Sequence, residues 1–222
     1  MVLLKKISII KSMKILEVKS LTIPDIKIIN FARFLDSRGY FTEVYKKSDF
    51  ENHPDMSFLK NTSFDQCNES ISHKGVIRGL HFQWNPAIGK LVKVTKGHII
   101  DVCLDIRVGS PFFGKIVGYE MQAYPENEHN EWIWIPPGFA HGIFCLDETI
   151  LVYFQTGEYS PVSDSVISPL APDIDWSLFD PKLKETVDRI KSQNPLISDK
   201  DRAGISLSQW KNSQDAENFI YG

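Results

Sequence analysis

Between Lys27 and Thr156 the chain is cut by Gly, Pro and Asn into short runs whose apolar residues alternate with polar ones or continue unbroken for a few positions. This pattern predicts an all-β sandwich or barrel. In HIIDVCLDI, residues 98–106, Ile100, Val102, Leu104 and Ile106 fall on one face and Asp101, Cys103 and Asp105 on the other, a period of two rather than 3.6. GYFTEVY, GVIRGLHFQ, GKLVKVTKG, GKIVGYEMQ, EWIWIPPG, HGIFCL and ILVYFQTG read as further strands. The last quarter changes period. In FDPKLKETVDRIKSQ, Asp180 is placed as an N-cap and Pro181 at the first helical position, with Leu183, Val187 and Ile190 on one stripe. A short amphipathic helix covering one end of the β-structure is predicted there. The division expected is an N-terminal extension over 1–20, one domain over 21–210, and a polar, frayed tail over 211–222.

Composition adds little against that picture. With 14 Phe, 7 Tyr and 5 Trp among 222 residues, the chain has ample side chains for a packed core. A formal net charge of -3 offers no basic excess for a phosphate backbone, so nucleic acid is not an expected partner. Lysines break up the apolar residues of the first twenty positions, so neither a signal peptide nor a membrane span is expected. Cys67, Cys103 and Cys145 are odd in number and widely spaced, which points to reduced thiols and a cytoplasmic protein.

Some polar residues sit where strands should be apolar. Arg78 and His81 lie in GVIRGLHFQ, Lys90 opens KLVKV, His141 lies in WIPPGFAHGIF, and Tyr153 in ILVYFQTG. Inward-facing ionisable groups in a small barrel imply a cavity for a polar ligand. Taken singly, each histidine is more often a hydrogen-bonded core or rim residue, Lys90 a solvated strand end, and Tyr153 core. Arg78 is different, because a buried guanidinium cannot shed its charge and needs an anion. Strict alternation puts Arg78 and His81 on opposite faces; a bulge at Gly79 would turn both inward.

Metal ligation is the first chemistry to test. His81-Phe82-Gln83 lacks the second histidine of a His-x-His pair, and two histidines without a carboxylate make a poor cage, so no metal and no cofactor are expected. Histidine, tyrosine, lysine and arginine without metal suit proton abstraction beside a ketone: one group is base, another acid on the opposite face, and a cation holds the enolate.

FLDSRGYFTEVY, GVIRGLHFQ, GKLVKVTKGHIIDVCLDIRVGSPFFGK, WIPPGFAHG, VYFQTGEYSP and ISDKD, in that order, resemble the dTDP-4-dehydrorhamnose 3,5-epimerase family of cupins. The resemblance implies a cupin-type jelly-roll barrel with short C-terminal helical additions, and a metal-free epimerase of a nucleotide-diphosphate 4-keto-6-deoxyhexose that serves deoxysugar biosynthesis. It implies His81 as base, Asp201 orienting it, Tyr153 as acid, and Lys90 with His141 stabilising the enolate. By the same resemblance Arg38 and Arg78 bind near the diphosphate, and Glu43, Gln66, Asn68, Tyr159, Asp164 and Lys200 contact substrate. It further implies a homodimer in which residues such as Arg38 reach the partner's pocket.

Departures are local. Cys67 stands where the family usually has Asp, Glu158 where many members have an aromatic, and Phe154 where a cation often follows the tyrosine. The stretch from Trp176 to Asp201 is longer than usual. These leave open a mono-epimerase of C3 or C5 and a CDP-linked substrate. A non-catalytic cupin that binds a nucleotide sugar, or a metal-dependent cupin, are readings of other classes.

Overall fold

The computed structural model describes residues 14–222. Of the expected N-terminal extension, residues 1–13 lie outside the described residues, and the remainder enters the sheet as β1 (Ile15–Ser20), paired antiparallel with β2 (Lys27–Ala32). A small hairpin follows, β3 (Phe34–Asp36) and β4 (Gly39–Phe41), then α1 (Lys47–Asn52) and a 3-10 turn over Pro54–Leu59. The barrel strands are β5 (Gln66–Ser72), β6 (Val76–Gln83), β7 (Lys90–Asp105), β8 (Ile116–Ala123), β9 (His129–Ile135), β10 (Phe139–Cys145) and β11 (Thr149–Gln155). The C-terminal part carries β12 (Asp164–Val166), α2 (Pro181–Ser192), β13 (Leu196–Ile197), α3 (Asp199–Arg202) and α4 (Leu207–Lys211).

β7 belongs to both layers of the sandwich. Its first half pairs with β9 and β11, continuing one layer through β2 and β5; its second half pairs with β8 and β10, and β10 leads to β6 and β12. The change of layer falls at Gly97, whose φ of +94° suits glycine alone, where pairing with β8 begins. The result is a jelly-roll barrel.

Alternation along 98–106 is confirmed, and both faces are buried. Ile100, Val102 and Leu104 pack outside the second layer with Phe144, Val187, Ile190 and Trp210, whereas Asp101, Cys103 and Asp105 face inward. A separate cluster between the layers includes Val92, Ile99, Ile133 and Leu151. Outside the first layer, α1 and the 3-10 turn bury Phe50, Met56 and Leu59 against Trp132 and Trp134. Covering both outer faces is what lets the interior hold polar groups.

The predicted helix is α2. Asp180 caps it by accepting from the N–H groups of Lys182 and Leu183, and Val187 and Ile190 are buried against the second layer. Fraying of 211–222 is corrected. Gln214–Phe219 form a 3-10 turn, Phe219 packs on Trp210, and the Val108 N–H donates to the Phe219 carbonyl while the Val108 carbonyl accepts from the Tyr221 N–H, which pins this segment. The apolar residues Ala216 and Phe219, diluted in a polar string, do this.

Candidate active site

One extra residue on β6 builds the site. Opposite β10, the step from His141 to Ile143 spans two residues, while the facing step from His81 back to Arg78 spans three. That bulge at Gly79 lets Arg78 and His81 line the same cavity despite alternation, but Arg78 stands exposed at its rim rather than buried as expected, so it needs no anion from the protein. Gly79 has φ +106°, and a Cβ there would stand 2.5 Å from the His141 carbonyl oxygen and 2.7 Å from the Gly142 Cα. Its N–H donates to Asp201 Oδ2 at 3.1 Å.

Arg78, His81, Lys90, His141 and Tyr153 line one cavity of about 130 Å³ inside the barrel, with Ser70, Val92 and Leu151. His81, Lys90 and Tyr153 also line a polar groove of about 400 Å³, with Gln66, Asn68, Gln155, Tyr159, Asp164 and Lys200. A larger surface groove beside Phe58 and Trp134, about 720 Å³, holds none of the candidate residues. Size therefore does not mark the chemistry here; the convergence of ionisable groups does.

His81 Nε2 and Asp201 Oδ1 are 2.8 Å apart, and Asp201 is 4 % exposed. Burial alone would raise the Asp201 pKa; hydrogen bonds and charge from His81, with the Gly79 N–H, outweigh it and hold the carboxyl below its usual range. Asp201 also donates its own N–H to Ser198, the N-cap of α3. A fixed carboxylate on Nε2 leaves Nδ1 as the nitrogen free to take a proton.

A second pair, absent from the sequence reading, stands across from the first. His141 Nε2 lies 2.7 Å from Oδ2 of Asp101, which is fully buried. Burial lowers the His141 pKa more than Asp101 restores it. Lys90 donates to the His81 carbonyl at 3.2 Å, and desolvation, only partly offset by Asp164 and Asp101, lowers its pKa to about 8. Burial also pushes the Tyr153 phenol up, so it carries its proton at neutral pH.

Arg78 is held by Ser72 Oγ, which accepts from Nε at 2.7 Å, and by the Ile71 carbonyl. In the groove, Gln66 donates to Asn68, Asn68 donates to Gln155, and the Tyr159 N–H donates back to Gln66. Lys200 donates to Asp164 at 2.5 Å. Arg38 and Glu43 are not brought there. Arg38 sits on the exposed β3–β4 turn bonded to Asp36, and Glu43 lines neither cavity, its Oε2 buried with no hydrogen-bond partner among the described residues. Among the described residues, no group of three or more His, Cys, Asp or Glu side chains is arranged to hold a metal ion, and no helix is long and apolar enough to cross a membrane.

A jelly-roll barrel with a histidine–carboxylate pair and a protonated phenol around one polar cavity belongs to the class of cupin-type sugar epimerases. Within that class, the chain belongs to the dTDP-4-dehydrorhamnose 3,5-epimerase family, whose family model matches residues 20–209. A dTDP-4-dehydrorhamnose 3,5-epimerase from Pseudomonas aeruginosa is 38% identical over 194 residues, covering 85% of this chain and 94% of the relative. Among solved structures, the dTDP-6-deoxy-D-glucose-3,5-epimerase of Legionella pneumophila, in complex with dTDP-4-keto-L-rhamnose, superposes with TM-score 0.74 at 34% identity, covering 93% of this chain and 98% of that one. A 3'-monoepimerase from Streptomyces bikiniensis, in complex with dTDP-quinovose, gives TM-score 0.72 at 26% identity, covering 87% and 89%.

Proposed function

We propose that this protein inverts both C3 and C5 of a dTDP-linked 4-keto-6-deoxyhexose. The observation that carries this is the placement of His81, backed by Asp201, and Tyr153 on one cavity. The C4 ketone acidifies both neighbouring carbons, so one base can serve each in turn. His81 takes the C–H proton at Nδ1, and the ring becomes an imidazolium held by Asp201. Negative charge moves onto the C4 oxygen, where the Lys90 ammonium stabilises it; His141, whose Nε2 faces Asp101, adds a donor only as an imidazolium with a second proton on Nδ1. Tyr153 then donates its proton to the opposite face of the same carbon, and the carbon is inverted.

Arg78, with Ser72 and Ile71 fixing its plane, faces the diphosphate, and Gln66, Asn68, Tyr159, Asp164 and Lys200 contact the nucleotide portion. The working unit is a homodimer. Leu35, Tyr40 and Phe41 of the β3–β4 hairpin are exposed, as is Arg38, and a second copy would cover them, bringing Arg38 and Glu43 to the partner's cavity. The free thiols of Cys67, Cys103 and Cys145 suit a cytoplasmic setting. Proton NMR in deuterated water with dTDP- and CDP-linked 4-keto-6-deoxyglucose tests the reading. Deuterium should enter C3 and C5 of the dTDP sugar with inversion at both; exchange at one carbon only would make it a mono-epimerase.

A further inference from the structure

Gln155 is 7% exposed, lines the polar groove, and carries an amide whose direction is fixed from the backbone. The Tyr159 N–H, which can only donate, meets Gln66 Oε1 at 2.8 Å. That leaves Gln66 Nε2 to donate to Asn68 Oδ1 at 2.8 Å, and Asn68 Nδ2 to donate to Gln155 Oε1 at 2.9 Å. Gln83 holds the anchoring loop, accepting from the Ser160 N–H at 2.7 Å and donating to the Glu158 carbonyl at 3.1 Å. The chain of amides therefore ends on the Gln155 NH₂, and among the described residues nothing accepts from it. The nitrogen is open to the groove.

Register says what this amide faces. On β11, Gln155 stands opposite Lys90 of β7 on one side and Gln66 of β5 on the other, so the three form one row across the sheet and share a face. In the reading above, Lys90 takes the C4 oxygen of the sugar, and Gln66 belongs to the nucleotide's end of the groove. Between sugar and nucleoside lies the diphosphate, whose free oxygens act as acceptors. A buried NH₂ with no acceptor in the protein matches that chemistry. We propose that Gln155 is a substrate-binding residue, its NH₂ donating to a free oxygen of the sugar-linked phosphate. Being neutral, the amide holds that oxygen without setting a second cation beside Lys90. The inference rests on the groove receiving the nucleotide of the proposed substrate.

Gln155→Met keeps the length of the side chain and removes the donor; Gln155→Ala, as a second variant, removes the side chain. Each is made alone and together with Asn68→Ala, and titrated calorimetrically with dTDP and with dTMP, which lacks the second phosphate. Affinity for dTDP should fall by about tenfold or more, as for loss of a hydrogen bond to a charged oxygen, and by a similar factor where Asn68 is already alanine. Affinity for dTMP should stay within about twofold, since the bond in question is never made. Unchanged dTDP affinity would overturn the proposal. So would a loss that vanishes in the Asn68→Ala background, because Gln155 would then act only by bracing Asn68. An equal loss for dTMP would also overturn it, placing the contact away from the sugar-linked phosphate. A wild type that binds no dTDP would instead sink the substrate reading, and this contact with it.

Discussion

Replacing Asp201 with asparagine tests how the base is held. Two acceptor contacts meet at this carboxylate, His81 Nε2 at 2.8 Å and the Gly79 N–H at 3.1 Å. An amide has one acceptor oxygen. If that oxygen keeps the Gly79 N–H, its NH₂ faces Nε2 and donates to it, so the ring proton moves to Nδ1 and the nitrogen facing the sugar is already occupied. If the oxygen turns to His81, NH₂ meets N–H at Gly79 and the bulge loses its anchor. Loss of a hydrogen bond to a charged group costs about 1.5–3 kcal/mol, the fall expected in unfolding free energy by urea titration. The catalytic loss is larger, since trapping the wrong tautomer behind a histidine base costs on the order of 10⁴ in kcat. Because the Asp201 pKa lies below 3.8 in the folded protein, the carboxylate's stabilisation is complete above that pH and is lost only as pH falls through the lowered value. The titration of Asp201 itself therefore adds nothing to any change in stability between pH 6 and pH 8. A variant turning over within about threefold of wild type, against the 10²- to 10⁴-fold that general acid–base help supplies, would refute the pairing as the source of basicity.

Lys90, at about 8, should give kcat/KM an alkaline limb that falls above that pH and is absent in Lys90→Met. Stability should move the other way: between about 8 and 10.5 the unfolded chain binds more protons than the folded one at Lys90, so this residue makes stability rise with pH, measured as Tm of wild type against Lys90→Met. Gly79→Ala forces a Cβ against β10 backbone at a positive φ and should cost roughly 1–3 kcal/mol in urea unfolding together with most of the activity; a neutral substitution would contradict the bulge. Tyr153→Phe should retain proton exchange at the sugar better than inversion, because the acid acts after the base; equal loss of both would make Tyr153 structural. Mixing His81→Asn with Arg38→Ala should restore activity through hybrid dimers that carry one intact site, and absence of recovery would place Arg38 outside the partner's site.

Much of this was legible because β-structure writes itself as alternation. The strands, the Asp180 cap and the cavity-lining set of Arg78, His81, Lys90, His141 and Tyr153 follow from residues placed against the local pattern. Gly79 gave away the bulge for the same reason. Asp101 escaped attention because its role comes from register: β10 runs antiparallel beside β7, and His141 meets a carboxylate forty residues earlier in the chain. Its signal was present as one of two carboxylates, with Asp105, on the inward face of an apolar strand. Gln155 was hidden as the last residue of β11, where polarity looks ordinary. Arg38 and Glu43 show the opposite limit, since sequence similarity marks them for a site that one chain does not assemble.

The decisive measurement is deuterium uptake by the sugar in His81→Asn compared with wild type, followed by NMR in deuterated water with the dTDP-linked 4-keto-6-deoxyhexose. Wild type should exchange and invert, and the variant should lose exchange by at least about 10²-fold while still binding dTDP. Exchange at the wild-type rate in His81→Asn would show that another group removes the proton.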